Sequence, residues 1–256
     1  MKIQDLFSVA GKTAVVTGGS RGIGEMIARA LVENGAKVII TSRKASDCEA
    51  LAAALGPACT AIPADLSQMA EIERFAAEVA ARFPRLDILF NNAGASWGAG
   101  IDDFPEVGWD KVMDLNVKSV FFLTQKLLPQ LEAAASPDGQ ARVINIGSID
   151  GQHVSDLETY SYAASKAGVL HLTRMMAKFL GGRNITANAI APGFFPSKMT
   201  AGIAEEFREA FRVATPLKRW GNPDDMAGVA LFLASRASAF MTGAVITVDG
   251  GYATTV

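Results

Sequence analysis

The chain has 256 residues, half of them hydrophobic and 20% charged, and its 24 Lys and Arg against 26 Asp and Glu leave a net charge of −2. That balance excludes an intrinsically disordered chain, which needs few apolar residues and a large net charge. It also excludes a protein that coats nucleic acid, because no basic stripe stands out.

In chain order, Thr13–Thr17 (TAVVT) is the first strand signal and is followed by a helical pattern over Ile23–Asn34. Lys37–Thr41 (KVIIT) precedes a helix over Ser46–Leu55, and a weaker strand at Thr60–Ala64 precedes one over Met69–Phe83. Leu86–Phe90 (LDILF) leads to a long helical run, Trp109–Glu132, and Arg142–Ile146 (RVINI) leads to Thr159–Leu180. Ile185–Ile190 (ITANAI) and Val245–Val248 (VITV) close the series, with a helix over Pro223–Ala234 between them. Nearly continuous apolar strands suit a sheet covered on both faces. Strand alternating with helix predicts right-handed βαβ units and a parallel sheet. The expected class is α/β, a doubly wound parallel sheet of about seven strands with helices on both faces. Residues 193–222 break the rhythm, with Pro192, Pro196 and Pro216 around one helical patch, and are read as a lobe over the sheet's edge.

No stretch approaches the roughly 18 uninterrupted apolar residues of a membrane helix, and the first residues, MKIQDLFSVAGKTAVV, lack a secretory pattern. Cys48 and Cys59 have no metal-ligand spacing and are too few for a disulfide framework. They are read as idle thiols in a reducing compartment. A soluble, cytoplasmic protein without a membrane or nucleic-acid partner is expected.

Ligands of an open parallel sheet bind beyond the carboxyl ends of its strands. Thr17-Gly18-Gly19-Ser20-Arg21-Gly22-Ile23-Gly24 joins the first strand directly to a helix. Glycines there permit a tight turn and a close backbone approach, and the helix N-terminus offers unpaired N–H groups to a phosphate. Tyr162 and Lys166 are four apart in a helical run and share a face. A nearby ammonium lowers a phenol's pKa from about 10, so the pair can pass a proton to or from an alcohol oxygen. Ser148 closes the fifth strand, where a hydroxyl caps a turn or steadies an oxyanion. Asn116 lies in an apolar run and needs a partner. His153 and His171, the only histidines, are read as solvated or core imidazoles, and no metal is expected.

These segments resemble the short-chain dehydrogenases/reductases. The resemblance rests on Thr17 to Gly24, Asn91-Asn92-Ala93-Gly94, Tyr162-x-x-x-Lys166, Pro192-Gly193 and Val248-Asp249-Gly250-Gly251, in the family's order and across essentially the whole chain. It implies one NADP(H)-binding Rossmann domain over residues 1–256 with a substrate lid at about 193–222. Gly18, Ser20, Arg21, Gly22, Ile23 and Gly24 would cradle the cofactor. Asp65 and Leu66 would meet the adenine, Asn92, Ala93 and Gly94 the adenosine ribose, and Pro192, Gly193, Phe195 and Ser197 the nicotinamide. The family's NAD-type acid would fall near position 42. This chain has Ser42 there, then Arg43 and Lys44, with Arg21 in the glycine loop. Guanidinium groups grip phosphates bidentately, so NADP(H) is the expected cofactor.

The family's catalytic roles fall on Asn116, Ser148, Tyr162 and Lys166. Tyr162 would protonate the carbonyl oxygen, Ser148 orient it, Lys166 bind the nicotinamide ribose and hold Tyr162 acidic, and Asn116 kink its helix and hold a water relay. Trp97, Asp150, His153 and Phe194, with Ser96 and Met199, are candidate pocket residues beside Ser148 and Tyr162. Within the family the chain looks most like bacterial 3-oxoacyl-[acyl carrier protein] reductases, especially the ketoacyl reductases associated with rhamnolipid synthesis. The supporting stretches are Ala95 to Gly98, Ala141 to Ser148, Phe195 to Thr200 and Arg219-Trp220-Gly221. A 3-oxoacyl thioester on acyl carrier protein or CoA, reduced with NADPH by a homotetramer, is therefore expected, with Lys198, Arg208 and Arg212 available to meet an acidic carrier. A sugar, polyol, steroid or xenobiotic carbonyl is the alternative, and a non-catalytic NADPH-binding regulator a further one.

Overall fold

A computed structural model describes residues 2–197, 200 and 204–255. After a four-residue helical turn, α1 (Ile3–Leu6), the chain runs β1 (Thr13–Thr17), α2 (Gly22–Glu33), β2 (Lys37–Thr41), α3 (Ala45–Leu55), β3 (Cys59–Ala61), α4 (Met69–Arg82) and β4 (Ile88–Asn91). It continues through α5 (Glu106–Met113), α6 (Ser119–Ala134), β5 (Ala141–Ile146), α7 (Tyr160–Leu180) and β6 (Ile185–Pro192). Last come α8 (Glu205–Ala214), α9 (Pro223–Ala234), β7 (Val245–Val248) and α10 (Tyr252–Thr255). The seven strands form one sheet in the order β3-β2-β1-β4-β5-β6-β7, and every pairing is parallel.

Each strand sends successive side chains to opposite faces, and both faces are covered. Val15, Ile39, Leu89 and Val143 enter one core with Phe75, Leu123 and Val169 from α4, α6 and α7. Val16, Ile40, Phe90 and Ile144 enter the other with Ile27, Leu31 and Leu233 from α2 and α9. The α9 start is fixed locally, because Asn222 and Asp225 form a capping box around Pro223. Chain order reverses between β1 and β4, and this is where a crevice opens at the strands' carboxyl ends.

Two elements differ from the periodicity reading. The third strand is shorter, Cys59–Ala61, and its chain then stays tied to the neighbouring segment through Ile62 N–H to the Ile40 carbonyl and Ala64 N–H to the Ser42 carbonyl. The long helix expected over Trp109–Glu132 is broken by a π-helical turn at Asp114–Lys118. Hydrophobic spacing does not report such an inserted residue, whereas a buried polar residue inside the run, Asn116, marks it. The helical patch expected in the lobe over residues 193–222 is the amphipathic helix α8. Cys48 and Cys59 are buried free thiols, and Cys48 hydrogen-bonds the Ile40 carbonyl at 3.4 Å.

Candidate active site

A cleft of about 1120 Å³ lies over the carboxyl ends of β1, β4, β5 and β6. Gly18, Ser20, Arg21, Gly22, Ile23 and Gly24 form its floor at one end, with Ser42, Arg43 and Lys44 beside them. Gly18 has φ +63°, and an added Cβ there would stand 2.9 Å from Asn92 Nδ2. A Cβ on Gly24 would run into the Gly18 carbonyl. The loop is therefore wound too tightly for side chains, as backbone that must touch a ligand is. Arg21, the residue before α2, makes no side-chain cap, so the first N–H groups of a 12-residue helix are left for an anion.

Thr17 ties this floor to the next wall. Its Oγ1 accepts from the N–H of Asn92 at 2.8 Å and of Ala93 at 2.9 Å, and Asn92 Nδ2 donates to the Thr17 carbonyl at 2.7 Å. Beneath, Asn91 Nδ2 donates to Asn145 Oδ1 at 2.9 Å and Asn145 Nδ2 to Thr173 Oγ1 at 2.9 Å. This buried chain of amides and hydroxyls joins β4, β5 and α7. Thr17, Asn145 and Thr173 were not singled out from sequence. A polar residue in an otherwise apolar strand or helix is the signal that finds them.

Ser148, Tyr162 and Lys166 line the middle of the same cleft. Ser148 hydrogen-bonds the Tyr162 phenol and accepts the Asp150 N–H at 3.1 Å. Lys166 Nζ, 5.5 Å from the Tyr162 ring centroid, donates to the Ile146 carbonyl at 2.8 Å. Burial pushes the Tyr162 phenol up to about 12, against the Ser148 hydrogen bond, which pulls it down. Desolvation, with the Asp150 charge beside it, governs this shift rather than the expected depression by Lys166, and at neutral pH the phenol holds its proton. Burial pulls the Lys166 ammonium down to about 8. The free enzyme's kcat/KM for carbonyl reduction should then fall as pH rises through about 8 and the ammonium is lost. A profile flat from about pH 7 to about 10 would contradict this.

Asn116 sits in the π turn, almost fully buried. Its Oδ1 accepts the Ala95 N–H at 2.8 Å, and its Nδ2 donates to the Ala95 carbonyl and to Ser165 Oγ, both at 2.9 Å. Ser165 in turn donates to the Tyr162 carbonyl at 2.7 Å. Both amide hydrogens are spent on protein atoms, so the side chain braces the 92–95 segment against the helix that carries Tyr162 and Lys166. Ser165 completes this brace and was not anticipated.

The remaining expected residues divide. Leu66, Asn92, Ala93, Gly94, Pro192 and Gly193 border the cleft, as do Asp150, Phe194, Phe195 and Ser197. Ser197 lies against the glycine loop, 3.1 Å from where a Gly22 Cβ would stand, and exchanges hydrogen bonds with Thr200. Asp65 turns its carboxylate to the N–H and hydroxyl of Ser67, at 3.1 and 2.8 Å. Trp97 packs over Gly108 and under the Lys111 ammonium, 4.9 Å from its ring centroid. His153 stands edge-on to Tyr252 at 5.5 Å. These two rings are engaged by protein rather than by the open cleft. Lys198 and Met199 lie outside the described residues.

Fold and cleft together define a nucleotide-binding oxidoreductase with a tyrosine and a lysine in the middle of its cleft. Residues 18–253 match the family model described as Enoyl-(Acyl carrier protein) reductase, and the chain belongs to the short-chain dehydrogenase/reductase family. It is 51% identical over 250 residues to the rhamnolipids biosynthesis 3-oxoacyl-[acyl-carrier-protein] reductase of Pseudomonas aeruginosa, covering 96% of this chain and 98% of that one. The solved Pseudomonas aeruginosa RhlG/NADP active-site complex superposes with a TM-score of 0.94 at 50% identity, covering 97% of this chain and 99% of that one. A gluconate 5-dehydrogenase from Burkholderia cenocepacia, in complex with NADP and tartrate, superposes at 0.92 with 33% identity over 100% of both chains.

Proposed function

We propose that the protein reduces the 3-oxo group of an acyl thioester, carried by acyl carrier protein or CoA, to a secondary alcohol with NADPH. The observation that carries this reading is the meeting of Ser148, Tyr162 and Lys166 in one cleft whose far end presents Arg21, Ser42 and Arg43. The tight glycine loop, the open α2 N-terminus and those two guanidinium groups fit a 2′-phosphorylated dinucleotide. NADPH, when bound, supplies the hydride that the carbonyl carbon receives. The Tyr162 hydroxyl gives its proton to the carbonyl oxygen, so the alcohol leaves with one hydride and one proton. Ser148 orients that oxygen by donating a hydrogen bond to it. Lys166 would hold the cofactor's ribose and keep positive charge beside the phenolate that forms. Asn116 keeps the tyrosine helix in register with the wall opposite.

No helix among the described residues is long and apolar enough to cross a membrane, and the protein is taken as cytoplasmic. Phe121, Met175 and Phe179 are exposed on α6 and α7. Such a face suits helix pairing between subunits of a homotetramer, and size-exclusion chromatography giving only monomer would sink that assembly. The likeness to a gluconate 5-dehydrogenase favours, as a second reading, a sugar-derived carbonyl.

The test follows NADPH consumption by the purified protein with acetoacetyl-CoA and longer 3-oxoacyl thioesters, beside crotonyl-CoA, simple ketones and sugars. Turnover of the 3-oxo thioesters, with NADPH preferred over NADH, is the expected result. Crotonyl-CoA reduced in their place would move the reaction to the carbon–carbon double bond. Silence across the panel, despite NADPH binding, would leave a cofactor-binding regulator.

A further inference from the structure

The cleft separates its charges. Arg21, Arg43 and Lys44 stand at the glycine-loop end, where Lys44 already pairs with Asp47 at 2.6 Å. Away from that end the cleft's ionisable groups are Lys111, whose ammonium rests over the Trp97 ring, and Tyr162, Lys166 and Asp150, and only Asp150 can bring a negative charge to a substrate before chemistry begins. Its backbone N–H donates to Ser148 Oγ at 3.1 Å. That bond holds Asp150 beside the hydroxyl that must receive the carbonyl oxygen. Among the described residues no ammonium or guanidinium pairs with its carboxylate; His153 and Lys166 draw on its charge from further away, and Tyr162 and Tyr252 feel it. Burial raises the Asp150 carboxyl above its ordinary value. A carboxylate shielded from water in this way repels a second carboxylate more strongly than an exposed one does.

We propose that Asp150 is a charge gate: it admits ketones whose acyl end is neutral, esters and thioesters, and rejects those that carry a free carboxylate, such as 3-oxo acids and keto-aldonates. The inference rests on the carbonyl-reductase reading of the cleft but not on thioesters as such. It also separates the thioester reading from the sugar-acid form of the second one, because a 3-oxoacyl thioester has a neutral acyl end whereas a sugar acid carries a carboxylate on the same carbon chain as its reacting carbonyl. Asp150 follows Ser148 by two positions, so the gate acts where the substrate must settle.

The test measures kcat/KM for matched carbonyls, acetoacetyl-N-acetylcysteamine and ethyl 3-oxobutanoate against acetoacetate, in wild type, Asp150→Asn and Asp150→Glu. Wild type should prefer the neutral compounds to acetoacetate by about tenfold or more. Asp150→Asn should shrink that preference about tenfold, and Asp150→Glu should keep it. An unchanged ratio in Asp150→Asn, or equal losses on neutral and anionic compounds, would overturn the gate and leave Asp150 a structural residue. A second measurement needs no turnover: calorimetric titration of the NADP-loaded protein with 3-hydroxybutyrate and with its methyl ester. Tighter binding of the ester by wild type, lost in Asp150→Asn, supports the gate even where no thioester is reduced, in which case only the thioester reading falls. Equal binding of acid and ester by wild type overturns the gate whatever the substrate.

Discussion

Tyr162→Phe is expected to lower kcat for NADPH-dependent carbonyl reduction by about 10³-fold, the span of a well-placed general acid. The Tyr162 hydroxyl is the group in the cleft that holds a transferable proton at neutral pH, because burial pushes it up to about 12. Lys166, drawn down to about 8, cannot replace it, since its ammonium faces the Ile146 carbonyl at 2.8 Å. Removing the phenolic oxygen leaves the ring and its packing in place. Ser148 keeps one partner, the Asp150 N–H, so no buried hydroxyl is orphaned and the fold should persist. NADPH affinity, measured by fluorescence titration, should stay within about threefold of wild type, because the phosphate contacts lie at the other end of the cleft. Comparable kcat values in the two proteins would move the proton to another donor, and a loss of NADPH binding would make the tyrosine a cofactor-positioning residue instead.

Why the site was so legible in the sequence, and the rest less so, follows from how each part is built. The glycine loop and the Tyr162–Lys166 pair are local: one is a strand–turn–helix, the other a single face of α7, and contiguous residues encode both. The two-sided sheet was equally plain, because Val15 and Val16, or Ile39 and Ile40, need opposite apolar environments and write an unbroken hydrophobic run. Features that depend on distant partners were not legible. Trp97 and His153 carry no mark in the sequence of packing on Gly108 and Tyr252. Asp65 sits in the expected position, yet Ser67, two residues on, holds its carboxylate. Asn116 was visible as a polar residue that needs partners, but Ala95 and Ser165 come from other segments. The phenol's pKa was misjudged for the same reason. Spacing shows that an ammonium is near, whereas desolvation depends on everything packed around the ring.

Replacing both Arg21 and Arg43 with Ala should raise KM for NADPH about 10²-fold and leave KM for NADH nearly unchanged. A charge-assisted hydrogen bond contributes about 1.5–3 kcal/mol, and two would give more than this. Both side chains are exposed, however, and water and salt screen part of each contact. Lys44→Ala should have a smaller effect, because its ammonium is already held by Asp47 at 2.6 Å. Ser42, whose hydroxyl donates to the Lys44 carbonyl at 3.3 Å, occupies the place where an acid would select NADH. Steady-state kinetics at low and high salt separate two causes. If the arginines grip the 2′-phosphate directly, the double variant should lose its preference for NADPH at both ionic strengths. If they only attract a more negative cofactor from a distance, wild type should itself lose the preference as salt shortens the Debye length from about 30 Å at 0.01 M to about 8 Å at 0.15 M. Direct contact is the expected outcome, because Arg21 leaves the N-terminus of α2 uncapped and borders the same cleft as Arg43.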